Sequence, residues 1–100
     1  MIFINISTDR WNHIIEMMLQ DHWEVTYKYD AFDAGIDFDL IELKKGDEKV
    51  LFGWDNWVEG EIKCSEERRR YIEKLAGVSL QEGEALNLKP TVIGLYLTPE

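Results

Sequence analysis

The chain has 100 residues, of which 45% are hydrophobic and 12% aromatic, and its 20 acidic and 11 basic residues leave a formal net charge of -9. This size predicts a single globular domain over residues 1–100, and the acidic balance argues against nucleic acid as a partner, because phosphate binding requires a basic surface. The lone Cys64 excludes an intrachain disulfide, and Met1–Ile6 is too short for a signal peptide or a membrane span, so we expect a cytoplasmic protein that does not bind membranes.

The first thirty residues alternate between strand and helix patterns. Residues 1–6 show the two-residue period of a short strand, and residues 7–9 supply caps for a helix. The apolar stripe of that helix consists of Trp11, Ile14, Ile15, Met18 and His22, and the helix is predicted to end around residues 20–21. The period then returns to two, which predicts an antiparallel strand with one face formed by Trp23, Val25, Tyr27 and Tyr29.

The middle of the chain is predicted as a meander of strands. Residues 31–35 form a hairpin loop, residues 36–44 form the returning strand, and residues 45–48 form the next turn. We predict that Val50–Cys64 runs as one long strand, bent near Gly53 or Gly60. A hairpin turning at residues 55–56 is the alternative, but it would place the acids Glu59 and Glu61 on the same face as apolar residues.

The last third predicts a second helix and a final strand. Ser65 is a suitable helix N-cap and Gly77 a suitable C-cap. Residues 80–90 form an irregular connection, and Thr91–Leu97 is predicted as a strand in the interior of the sheet, because it is apolar on both faces. The resulting order is β-α-β-β-β-α-β, an α+β fold with an antiparallel-rich sheet and two packed helices.

Arrangements typical of enzymes are poorly represented. Cys64 lies on the apolar face of its predicted strand, away from His13 and His22 in or at the end of the first helix, so no nucleophile and base are expected together. Neither zinc nor calcium spacing is present. We therefore expect no catalytic residue, no metal and no cofactor, and an enzyme that acts through a pair of carboxylates is the weakest of three functional hypotheses.

Negative charge is concentrated in the meander. Ten acids and three bases lie between Asp30 and Glu61, which predicts a negative field that attracts a basic protein. Trp57, on the polar face of the predicted strand, is either an exposed binding anchor or a core residue under a helix. The candidate partner-binding residues are Asp30, Asp33, Asp37, Asp39, Asp55, Trp57, Glu59 and Glu61.

The segment Phe52–Cys64 reads F-G-W-D-N-W-V-E-G-E-I-K-C and covers about a seventh of the chain. It resembles the W/Y-D-N-W-x-E-G-E-I-K pattern of small bacterial immunity proteins from contact-dependent growth inhibition and polymorphic toxin systems. The motif acids are Asp55, Glu59 and Glu61. The resemblance implies a non-enzymatic cytosolic protein that binds and neutralises a cognate toxin domain, often a nuclease. The alternative hypothesis is an acidic regulatory or adaptor domain that binds a basic cellular protein.

Overall fold

A computed structural model describes residues 1–97, so the last three residues of the predicted domain lie outside the description. The described chain has the predicted α+β class, and every pairing between its strands is antiparallel. The elements are β1 (Ile2–Ile6), α1 (Thr8–Gln20), β2 (Glu24–Lys28), β3 (Phe38–Lys45), β4 (Glu48–Asp55), β5 (Glu59–Lys63), α2 (Glu66–Ala76), β6 (Gln81–Glu82) and α3 (Pro90–Tyr96). The strands form one sheet in the order β2-β3-β4-β5-β1-β6.

The first two helices form where caps and periodicity coincide. The Ser7 hydroxyl caps α1 by accepting from the Arg10 N–H, and Ser65 caps α2 in the same way through the Arg68 N–H. Gly77 ends α2 in the left-handed conformation, at φ 67°. Both helices bury their apolar stripes in one core with a single face of the sheet, although His22, predicted at the end of the first stripe, is exposed. That core includes Phe3, Trp11, Ile14, Met18, Ile41, Leu43, Val50, Phe52, Trp54, Ile62, Cys64 and Ile72.

The predicted long strand Val50–Cys64 is wrong, because the chain reverses within it to form the hairpin of β4 and β5. The connection has three residues, 56–58, so Asp55 pairs with Glu59 and Gly53 pairs with Glu61. With three loop residues, odd positions face odd positions across the hairpin, and both strands keep their apolar even positions in the core. Glu59 and Glu61 would share a face with the apolar residues of β4 only if the turn had two residues.

A β-bulge changes the faces of β2. Val25 pairs with Leu43 and Tyr27 pairs with Glu42, which leaves Thr26 as an extra residue on this edge strand. The predicted shared face of Trp23, Val25, Tyr27 and Tyr29 is therefore wrong. Trp23 is buried in the helix-covered core, whereas Tyr29 contacts α3 on the opposite face of the sheet.

The predicted final strand Thr91–Leu97 is also wrong, because this segment forms α3. Pro90 occupies the first turn, where its fixed φ suits a helix, and a short apolar run does not by itself distinguish a strand from a helix. The segment before α3 crosses the second face of the sheet, where Leu88 lies over Gly53. A Cβ at Gly53 would come within 2.6 Å of the Leu88 Cγ, so this approach requires glycine.

Within residues 1–97, no helix is long and apolar enough to cross a membrane.

Candidate partner-binding surface

Two connections lie together at one end of the sheet. The β2–β3 loop spans residues 29–37, and the β4–β5 turn spans residues 56–58. The Asn56 N–H donates to the Asp37 carbonyl at 3.2 Å and joins the two connections. We call residues 29–37 and 55–59 the loop end. The second range includes the turn and the paired residues on either side of it, Asp55 and Glu59.

Large apolar side chains are exposed at the loop end. The exposed fractions are 98% for Phe32, 63% for Ile36 and 78% for Trp57. Scattered single apolar residues are normal on protein surfaces, but these three lie on two connections that a hydrogen bond joins, and exposed apolar surface gathered at one end of a molecule is a feature of interaction sites. Of the two interpretations of Trp57, the structure supports the exposed one, because none of the helices described in residues 1–97 covers the turn.

The same end of the molecule is uniformly acidic. Residues 29–37 and 55–59 contain five acids and no lysine or arginine. Asp30, Asp37 and Glu59 are exposed, and Asp33 and Asp55 are half-buried. Since no basic side chain lies within these two segments, their charges add to a local negative potential around the exposed aromatic rings.

Asp55 builds the turn that presents Trp57. Its carboxylate accepts from the Trp57 N–H at 2.8 Å and from the Val58 N–H at 2.7 Å. A short carboxylate that accepts from the backbone two and three residues later is a common way to fix a tight turn. Asp55 therefore positions the Trp57 backbone, and its own charge remains at the surface as part of the loop end.

Glu59 ties the turn to the start of α1. It adopts φ 61°, a left-handed conformation that is uncommon for a residue other than glycine and that occurs at turns. Its carboxylate accepts from the Thr8 N–H at 3.0 Å and from the Thr8 hydroxyl at 2.9 Å, and these bonds lower the pKa of Glu59. The Thr8 hydroxyl in turn accepts from the Trp54 indole at 2.9 Å. Glu59 is exposed, but its carboxylate is partly occupied by this structural role.

Glu61 was predicted to face a partner, but it is 1% exposed and lies inside the protein. Its carboxylate accepts three backbone N–H bonds, from Leu86 at 2.8 Å, Asn87 at 3.2 Å and Leu88 at 3.1 Å. The segment that covers the second face of the sheet is therefore held by a buried carboxylate. Glu61 is not available to a partner in this structure.

Asp39 is likewise buried rather than on a partner-facing surface. It forms an ion pair with Lys28 at 3.1 Å and accepts from the Leu40 N–H at 2.9 Å. Its register partner is Trp54, so its side chain lies on the helix-covered face of the sheet. Of the eight predicted residues, the structure thus brings six together at the loop end and places Asp39 and Glu61 inside.

An aromatic cluster that the sequence patterns did not indicate supports the loop end. The rings of Tyr29 and Phe38 meet edge to face at 4.9 Å, and Tyr96 of α3 contacts Tyr29 at 5.4 Å. The Tyr29 hydroxyl donates to Asp33 at 2.7 Å, and this bond raises the pKa of Tyr29 to about 12. Sequence reasoning also missed Phe32, an apolar residue between acids in the predicted hairpin loop. Ile36 was predicted as the start of the returning strand, but it lies in the loop, because β3 begins only at Phe38.

Cys64 is the one thiol of the chain. Cys64 lies in the core, and burial raises the pKa of its thiol to about 11, which keeps it protonated at neutral pH. Over residues 1–97, no group of three or more histidine, cysteine, aspartate or glutamate side chains is arranged to hold a metal ion.

Comparison with known proteins adds no assignment, because no family model, no curated protein and no solved structure matches the chain significantly.

Proposed function

We propose that this chain is a cytoplasmic immunity protein that binds and neutralises a basic toxin domain through the loop end. The observation that carries the proposal is the exposure of Trp57 at 78%, at the tip of a turn surrounded by acids. Exposed tryptophans ringed by polar groups are typical anchors of protein interfaces.

The other residues of the motif that resembles the immunity-protein pattern have roles inside this fold. Asp55 fixes the turn, Glu59 holds the start of α1, and Glu61 holds the segment on the second face of the sheet. These internal contacts explain why the fold needs acids at these three positions, whether or not a partner binds. They do not account for the Trp57 side chain, which projects from the turn that the acids build. The resemblance and the exposed indole therefore support the same surface.

Charge favours a basic partner at this surface. A nuclease domain carries a groove of lysine and arginine side chains for its substrate, and an acidic surface complements such a groove. Electrostatic attraction of this kind can raise association rates to the order of 10⁸ per molar per second at low salt. Trp57, Phe32 and Ile36 would then fill apolar pockets in or beside the groove, and the acids would pair with its rim.

Co-expression with the toxin domain encoded immediately upstream tests the proposal. We expect the wild-type protein to protect cells and to co-purify with that domain. Trp57→Ala and Asp37→Lys should weaken the complex at least tenfold, because a central tryptophan at an interface is worth about 2 kcal/mol or more. Leu19→Ala and Glu16→Lys are matched controls, since they make the same types of change at exposed positions on α1.

Two outcomes would overturn the proposal. If the wild-type protein neither protects cells nor binds the upstream domain, the chain is not its immunity protein, and specific binding to a basic cellular enzyme subunit would instead favour the adaptor hypothesis. If the complex forms but Trp57→Ala and Asp37→Lys bind as tightly as the two controls, the interface lies outside the loop end.

A further inference from the structure

The segment of residues 85–97, which we call the strap, is firmly attached at one end. Its residues 86–88 donate three backbone N–H bonds to the buried Glu61 carboxylate, and the Asn87 amide donates to the Glu59 carbonyl at 3.2 Å. Leu88 is buried against Gly53. Charge-assisted bonds in a buried site are among the stronger ones in proteins. This attachment fixes where the strap leaves the sheet.

The other end of the strap is held differently. None of the described side chains of α3 is fully buried, and its N-cap residue Lys89 makes no side-chain capping bond. The contact of α3 with the sheet includes Tyr96, whose ring lies 5.4 Å from that of Tyr29 and 6.1 Å from that of Phe38. Aromatic pairs of this geometry each stabilise by amounts that correspond to a few-fold change in an equilibrium.

Tyr29 connects this contact to the loop end. Its hydroxyl donates to the Asp33 carboxylate at 2.7 Å. The Asp33 carbonyl accepts from the Ile36 N–H at 2.9 Å and from the Asp37 N–H at 3.1 Å. Asp33 is thus the hydrogen-bonding centre of the β2–β3 loop. Tyr29 binds the Asp33 carboxylate through its hydroxyl, and Tyr96 packs against the ring of Tyr29. Contacts thus connect the buried Glu61, through the strap, to the loop that carries Phe32.

We infer that the strap is a positioning element for the loop end: Tyr96, docked on Tyr29 and Phe38, holds the β2–β3 loop in its folded conformation. A loop ordered before binding loses less conformational entropy when a partner arrives, so the strap sets how much affinity the loop end can deliver. The consequence for affinity rests on the proposed function. The positioning of the loop is a property of the free protein and does not depend on the identity of any partner.

Amide hydrogen exchange of the free, full-length protein, read by mass spectrometry, tests the inference. The amides of residues 34–37 are suitable reporters, because all four donate to backbone carbonyls within residues 31–38. Tyr96→Ala should speed exchange in this loop roughly tenfold, through the loss of two ring contacts. Tyr96 is 40% exposed, so its replacement should leave the helix-covered core folded. Tyr96→Phe keeps the ring and should behave as the wild type.

Leu95→Ala is the matched control on the same helix, since Leu95 is 74% exposed. It should leave exchange in residues 34–37 unchanged. The inference is overturned if Tyr96→Ala speeds exchange only within residues 90–97, because the strap would then be a cover with no effect on the loop. Equal acceleration across α1, β4 and the loop would also overturn it, since Tyr96 would then stabilise the whole fold. Neither result bears on toxin binding, so this inference and the proposed function can fail separately.

Discussion

The burial of Glu61 leads to a quantitative prediction for Glu61→Gln. The wild-type carboxylate accepts three backbone N–H bonds with its two oxygens. The amide of glutamine has one carbonyl oxygen, so at most two bonds remain, and both become neutral. If each remaining bond weakens by about 1 kcal/mol, and the third N–H loses an acceptor at a cost of about 1 kcal/mol, the free energy of unfolding falls by about 3 kcal/mol. For a small domain this is a large part of the total stability.

Urea denaturation followed by circular dichroism measures this loss. With a slope of about 1.5 kcal/mol per molar, typical of small proteins, the midpoint should fall by about 2 M. Lys63→Gln is the matched control, because Lys63 lies on the same strand and is exposed, and its midpoint should stay within about 0.3 M of the wild type. A midpoint for Glu61→Gln as close as that would refute the structural role assigned to the buried carboxylate.

Three further predictions follow from individual side chains. Of the four tryptophans, only Trp57 is exposed, so Trp57→Phe should remove most of the fluorescence that acrylamide quenches; unchanged quenching would mean that the turn is covered. Cys64, with its pKa raised to about 11 by burial, should react with Ellman's reagent at about pH 8 at least 100-fold more slowly in the folded protein than in guanidinium; equal rates would contradict its burial. The bonds from Thr8 lower the folded-state pKa of Glu59 below its ordinary value, so their contribution is present above the unfolded-state pKa and is lost as the pH falls through the folded-state pKa. Glu59→Gln should therefore show a shallower loss of stability in acid than the wild type, and parallel acid profiles would argue against this bond.

The helices on the core side could be predicted because their signals are local. In α1 the periodic apolar residues Trp11, Ile14, Ile15 and Met18 are all buried, and a serine cap stands before each of the first two helices. Capping and periodicity depend on neighbours within a few residues, which a single sequence displays directly. The α+β class follows from these helices together with the two-residue period of the strands.

The errors arose where the outcome depends on one residue of register or on distant contacts. A two-residue loop and a three-residue loop place residues of opposite parity on the same face of a hairpin. The apolar alternation of Val50–Cys64 therefore fits a single strand as well as it fits the three-residue hairpin that forms. The bulge at Thr26 likewise places Tyr27 on the face of the sheet opposite to Val25, although a regular strand would put both on one face. Glu61 contacts residues 25 to 27 positions later in the chain, and no local pattern separates such a buried acid from an exposed one. The sequence indicates part of the candidate surface, because turn acids and a tryptophan stand out in it. Phe32 and Ile36 belong to that surface only through the contact between the two connections, which no local pattern predicts.

The bulge at Thr26 has a second consequence, for the solubility of the protein. An exposed edge strand offers free backbone groups to which a strand of another molecule can add, and this is a common route to aggregation. In the described sheet, one edge is β2, which the bulge distorts and the charged residues Glu24 and Lys28 flank. The other edge is β6, which is two residues long. Both edges are therefore poor templates for strand addition, and a molecule with such edges can expose aromatic side chains at its loop end with less risk that its sheets will join.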